Sequence, residues 1–161
     1  MTPWDLVKRS EHSHQRAVFA WANCAALYGM AIADQPEAYS LVEREKLLAG
    51  NPYLQIEPVP ELSRLFAIHN QGHGDAIRGA QAKAEGVKAG VPDIMLPVSG
   101  QRAGCGLFIE LKRPKLKGKV QAGTESDIQA DWRAYLTSQG YVCHVCVGWI
   151  EAVGAIRAYL R

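Results

Sequence analysis

Apolar residues recur at helical spacing after Ser10: Ala17, Val18, Ala20, Trp21, Ala25 and Leu27 line one side of a helix, and Ser10 offers an N-cap oxygen to its first turn. Glu11 and Gln15 then lie one turn apart on one face. A second helix is predicted from Pro36 to Ala49, because proline suits a first turn and Gly50-Asn51-Pro52 stops the pattern. The stretch from Asn51 to Pro60, interrupted by Pro52 and Pro58, reads as a loop. Leu65 to Ile68 reads as a short strand entering the polar, glycine-rich turn His69-Asn70-Gln71-Gly72-His73-Gly74. Helical spacing returns from Asp75, as cap, to about Glu85.

The second half changes period. Ile94 to Val98 and Leu107 to Lys112 are two apolar runs joined by a loop through Ser99 to Gly104, the pattern of neighbouring strands. Thr124 is a candidate cap for the next helix, with Asp127 three residues on and Gly140 placed to end it. Ile128, Trp132, Tyr135 and Leu136 would form its apolar stripe. Tyr141 to Val147 is a further strand and Ile150 to Leu160 a last helix. Helices first, then β-β-α-β-α, predicts an α/β fold with a mixed central sheet flanked by helices. One domain over residues 1–161 is expected, with a helical and loop insertion at about 34–63.

Composition narrows the picture. At 161 residues and 48% hydrophobic, the chain can bury one substantial core. Its formal charge of +2 is too small for the whole-molecule field to select a polyanion, but Lys112, Arg113, Lys115, Lys117 and Lys119 follow one another with no acid before Glu125. No apolar run approaches the ~20 residues that span a bilayer, and the polar N-terminus does not resemble a signal peptide; a cytoplasmic protein with no membrane partner is expected. Cys24, Cys105, Cys143 and Cys146 are scattered, as reduced thiols are. Cys143 and Cys146 do form a C-x-x-C, but within a strand residues three apart point to opposite faces, so a zinc site ranks last.

Chemistry concentrates between 93 and 112. In a strand, Glu110 and Lys112 project to one face while Leu111 points to the other. Asp93, opening the preceding strand after Pro92, is within reach of Glu110 through a hairpin-like connection, and Gly86 and Gly90 let the backbone turn just before it. Two carboxylates are the donor type Mg²⁺ and Mn²⁺ prefer, with water, a phosphate oxygen and a carbonyl such as that of Leu111 completing the shell. A lysine beside them suits phosphodiester hydrolysis, since it can orient the attacking water and offset phosphate charge.

These residues resemble the VRR-NUC domain, a branch of the PD-(D/E)xK nuclease superfamily. The matching pieces are Glu11 and Gln15 in E-H-S-H-Q, Asn70 in the H-N-Q-G turn, A-E-G-V-K-A-G-V-P-D ending at Asp93, F-I-E-L-K-R at 108–113, and Gln129 in D-I-Q-A-D-W. The resemblance implies the restriction-endonuclease-like fold, metal binding by Asp93 and Glu110, and catalysis by Lys112. It further implies an additional metal contact from Glu11, direct or through water, and hydrogen bonding around the site or to DNA by Gln129. Arg113, Lys115, Lys117, Lys119, Asn70 and Gln15 are the expected DNA contacts. His69 and His73 read as polar turn residues.

Stand-alone chains of this kind are similar to virus-encoded and bacterial junction resolvases. That points to four-way DNA junctions and, because symmetric cutting takes two sites about a two-fold axis, to a homodimer, with the segment from Pro36 to Pro60 a candidate dimer surface or junction-shaping element; no nucleotide cofactor is called for. The rival readings are a flap or end-processing nuclease, a nickase or non-specific DNA nuclease with little structural preference, and a non-catalytic DNA-binding module that kept the fold.

Overall fold

The computed structural model describes residues 2–6, 10–69, 76–100, 104–115 and 124–161. Their strands form one mixed sheet in the order β1 (Phe66–Ala67), β2 (Ile94–Leu96), β3 (Leu107–Lys112), β4 (Val142–Val147). The first two pairings are antiparallel and β3 runs parallel to β4. A parallel neighbour requires a long crossover, and the helix α6 (Asp127–Ser138) supplies it.

All six residues of β3 are buried, so the strand is covered on both faces. Leu107, Ile109 and Leu111 face a core shared with Ile94, Leu96, and Val18, Trp21 and Ala25 of α2 (Glu11–Tyr28) and Ala152 and Ile156 of α7 (Trp149–Leu160). The alternate residues Glu110 and Lys112 meet Gln129 of α6 instead. Each large apolar side chain in that core contributes roughly 1.5–3 kcal/mol.

Ser10 caps α2 as predicted, its hydroxyl accepting from the Ser13 N–H at 3.2 Å. A short helix not foreseen, α1 (Pro3–Leu6), precedes it and sets Trp4 edge-on to Trp149, ring centres 5.1 Å apart. Another single turn, α3 (Met30–Ala33), follows.

The helix expected over Pro36 to Ala49 divides. A 3-10 turn, Pro36–Tyr39, and α4 (Leu41–Gly50) are separated by an extended Ser40. The turn is held inward, with Ala38 buried and the Tyr39 hydroxyl donating to the Ala33 carbonyl at 2.7 Å, whereas α4 buries none of its residues. One straight helix could not follow both courses. Residues 34–63 also contribute to the core: Leu62 is buried, and Asp34 accepts from the Trp21 indole at 3.1 Å and pairs with Arg157.

A second 3-10 turn, Pro60–Arg64, leads into β1, which is shorter than the predicted Leu65 to Ile68, and α5 (Ala76–Ala84) is a helix as expected. Among the described residues no helix is long and apolar enough to cross a membrane.

Candidate active site

Asp93 stands immediately before β2, and continuing the pairing of Ile94 with Ile109 by one step sets it opposite Glu110. Its carboxylate Oδ2 accepts from the Leu111 N–H at 2.9 Å, and its own carbonyl accepts from the Ile68 N–H at 2.7 Å. The site's first acid is therefore fixed from both neighbouring strands.

Glu110 and Lys112 share a face of β3, as period two requires. The Lys112 ammonium donates to Glu110 Oε1 at 2.8 Å and to Gln129 Oε1 at 2.8 Å. The Gln129 amide nitrogen donates to the same Glu110 oxygen, while Gln129 Oε1 also accepts from the Ser126 N–H at 2.9 Å. Ser126 in turn caps α6 through its hydroxyl, completing a reciprocal capping box with Gln129. The amide orientation of Gln129 is thus dictated at both ends.

These groups are not a surface ion pair. Glu110 and Lys112 are 5% and 6% exposed, a depth at which an unpaired charge costs several kcal/mol. Burial raises the Glu110 carboxyl to about 7, the Asp93 and Glu11 charges add to the rise, and the Lys112 hydrogen bond and charge oppose it. Burial also raises Asp93, against the Leu111 N–H, Lys112 and His12, with Glu11 adding to the rise.

Glu110 Oε2 is buried and has no hydrogen-bond partner among the described residues. A carboxylate oxygen kept dry and unmatched, beside a second carboxylate, fits a hard divalent cation. Among the described residues no three of His, Cys, Asp and Glu cluster closely enough to hold a metal by side chains alone. Asp93 and Glu110 would therefore be joined by non-side-chain donors, of which the Leu111 carbonyl is the expected one.

Of the other expected residues, Glu11 comes from the first turn of α2, and its Oε1 accepts from the Arg113 N–H at 3.4 Å. It acts on both Asp93 and Glu110 by charge without closing into a three-acid cluster. Gln15 is half-buried on the next turn. Arg113 is half-buried and Lys115 exposed just beyond β3, while Asn70, His73, Lys117 and Lys119 lie outside the described residues. His69 is exposed. Cys143 and Cys146 are free thiols, the first half-buried and the second buried.

Two expectations for α6 need correction. The cap is Ser126 with Gln129, not Thr124 with Asp127, because only the later start lets Gln129 both complete the box and reach Glu110. The stripe is also misassigned: Leu136 is buried, but Ile128 and Tyr135 are each 56% exposed. The sheet-facing side of this helix carries Gln129 and Leu136, two turns apart. His12, close enough to Asp93 to favour its charged form, was not singled out from the sequence; Ser126 was also missed, although S-x-x-Q at 126–129 is a capping-box pattern.

The chain has the fold of a VRR_NUC domain protein. A solved structure of that description superposes with a TM-score of 0.60 over 96% of this chain and 91% of that one, at 19% sequence identity. At that identity the likeness concerns the fold, and the α/β, restriction-endonuclease-like architecture expected from the sequence is the one observed. No protein-family model and no curated protein sequence matches the chain.

Proposed function

We propose that this protein is a divalent-metal-dependent DNA endonuclease that hydrolyses phosphodiester bonds, with Asp93, Glu110 and Lys112 at its centre. The observation that carries the reading is the convergence of the half-buried Asp93 carboxylate with buried Glu110 and Lys112, where Glu110 Oε2 has no hydrogen-bond partner among the described residues. The fold shared with a VRR_NUC domain protein supports it.

Asp93 and Glu110, with the Leu111 carbonyl, would hold Mg²⁺ or Mn²⁺, and Glu11 would contribute through water. When bound, such an ion supplies Lewis-acid relief of charge on the pentavalent phosphate and makes water easier to deprotonate. The protein's own groups do the rest. Lys112, gripped by Glu110 and Gln129, presents its ammonium where phosphate charge builds and orients the attacking water. Gln129 keeps that ammonium from wandering. Arg113 and Lys115 leave β3 at the site's edge and would meet flanking phosphates, joined by Lys117, Lys119, Asn70 and Gln15.

Branched DNA is the proposed substrate, a four-way junction cut by a homodimer. Exposed Leu41 and Val42 on α4, with Tyr53 and Ile56 beyond it, give residues 36–60 the apolar surface that a second copy would cover. The test is cleavage of labelled junction, flap, hairpin and linear DNA with Mg²⁺, Mn²⁺ or EDTA, alongside light scattering at micromolar concentration. Junction cutting that EDTA stops, by a dimer, is the expected result. Failure to cut any of the four would overturn the enzymatic reading, and a monomer would overturn the assembly.

A further inference from the structure

Asp93 must reach Glu110 from the end of a strand whose regular pairing begins only at Ile94. The residues just before it, 86–92, are a loop, and a strand end is where backbone frays most readily. Yet this loop is fastened. The Trp132 indole N–H donates to the Ala89 carbonyl at 3.0 Å. Gly90 next to it adopts φ +83, and a Cβ there would lie 2.4 Å from Ile128 Cγ2 and 3.1 Å from the Ile128 main chain. Backbone and helix therefore touch with no room for a side chain.

Ile128 and Trp132 flank Gln129 on the same helix, one turn apart, and Gln129 grips Glu110 and Lys112. We infer that the first half of α6 is a clasp that sets the distance between the two metal-binding acids, with Trp132 and Gly90 as positioning residues for Asp93. On one side Gln129 fixes the β3 groups; on the other, Trp132 and the bare Gly90 backbone fix the approach to Asp93. This rests on the proposed metal-dependent reading.

The test measures Mn²⁺ binding alone, by titration calorimetry on chelator-stripped protein, in wild type, Trp132→Phe and Gly90→Ala. Trp132→Phe keeps an aromatic ring against the loop while removing the N–H and part of the indole, and because Trp132 is only half-buried its metal-free melting should stay close to wild type. A loosened Asp93 should weaken Mn²⁺ binding about tenfold, the scale on which groups supporting metal ligands act. Half-saturating Mn²⁺ for cleavage should rise in parallel while the KM for DNA holds. Gly90→Ala should weaken binding further, and Trp132→Phe decides the matter if Gly90→Ala does not fold. Wild-type Mn²⁺ affinity in a folded Trp132→Phe overturns the clasp and leaves the nuclease reading standing. Absence of Mn²⁺ binding by wild type overturns both.

Discussion

Glu110→Gln separates the cost of the buried acid from its use. Glutamine has the same shape, can still accept from Lys112, and mimics the protonated acid. In the folded protein Glu110 is raised from an ordinary 4.5 to about 7, which at about 1.4 kcal/mol per tenfold change in proton affinity amounts to about 3 kcal/mol. Because the folded state holds this proton more tightly than the unfolded chain, the contribution is fully present below about 4.5 and is lost as the pH rises through about 7. Wild type without metal should therefore weaken over that window by about 3 kcal/mol more than Glu110→Gln, which keeps only the contribution of the raised Asp93 carboxyl. For a chain of this size each kcal/mol moves Tm by roughly 2–4 °C. By circular dichroism melts in EDTA, Glu110→Gln should exceed wild type by roughly 6–12 °C at pH 8 and match it near pH 4.5. Mn²⁺ should reverse the order at pH 8: an ion at about 1,000 times its Kd stabilises wild type by about 4.1 kcal/mol, more than the gap, and leaves the glutamine variant unmoved. A variant that melts at or below wild type at pH 8 in EDTA would refute the claim that this carboxylate is held at a cost in stability.

Lys112→Ala should abolish cleavage of a labelled four-way junction while leaving affinity, read by gel shift in EDTA, nearly unchanged. Lys115→Ala should instead weaken binding and reduce the slope of log affinity against log salt by about one. Ser126→Ala, which loses the hydroxyl cap on α6, should cost about 1 kcal/mol in urea melts and lower kcat without changing KM for DNA, with Ser126→Thr restoring both. Trp21→Ala, emptying a fully buried site and removing the indole donor to Asp34, should cost roughly 3–5 kcal/mol by the same melts.

Much of the sheet was legible because period two is robust: Ile109 and Leu111 go to the core, Glu110 and Lys112 to the other face, and the Asp93 hairpin follows from the glycines and Pro92. Helix boundaries were harder where two caps compete. Thr124 and Ser126 each have a partner three residues on, and the choice is made by Gln129 reaching across to β3. Tyr135 and Ile128 look like core residues by type, but the side of α6 that meets the sheet is given over in part to the polar site. The break at Ser40 comes from the Tyr39 contact with Ala33, which local spacing does not encode. Nor does it encode the depth of Lys112, since a lysine two residues from a glutamate reads as exposed until a helix is laid over it.

The bond from the Leu111 amide to Asp93 gives one side chain two employments, chemical and architectural. It serves as the last rung between β2 and β3, at the point where main-chain pairing has run out. An alanine there would unzip the hairpin's end as well as emptying the site, so a dead enzyme would say little about which loss killed it. Asparagine keeps an oxygen for Leu111 while discarding the charge, so Asp93→Asn is the form that separates the loss of charge from the loss of the rung.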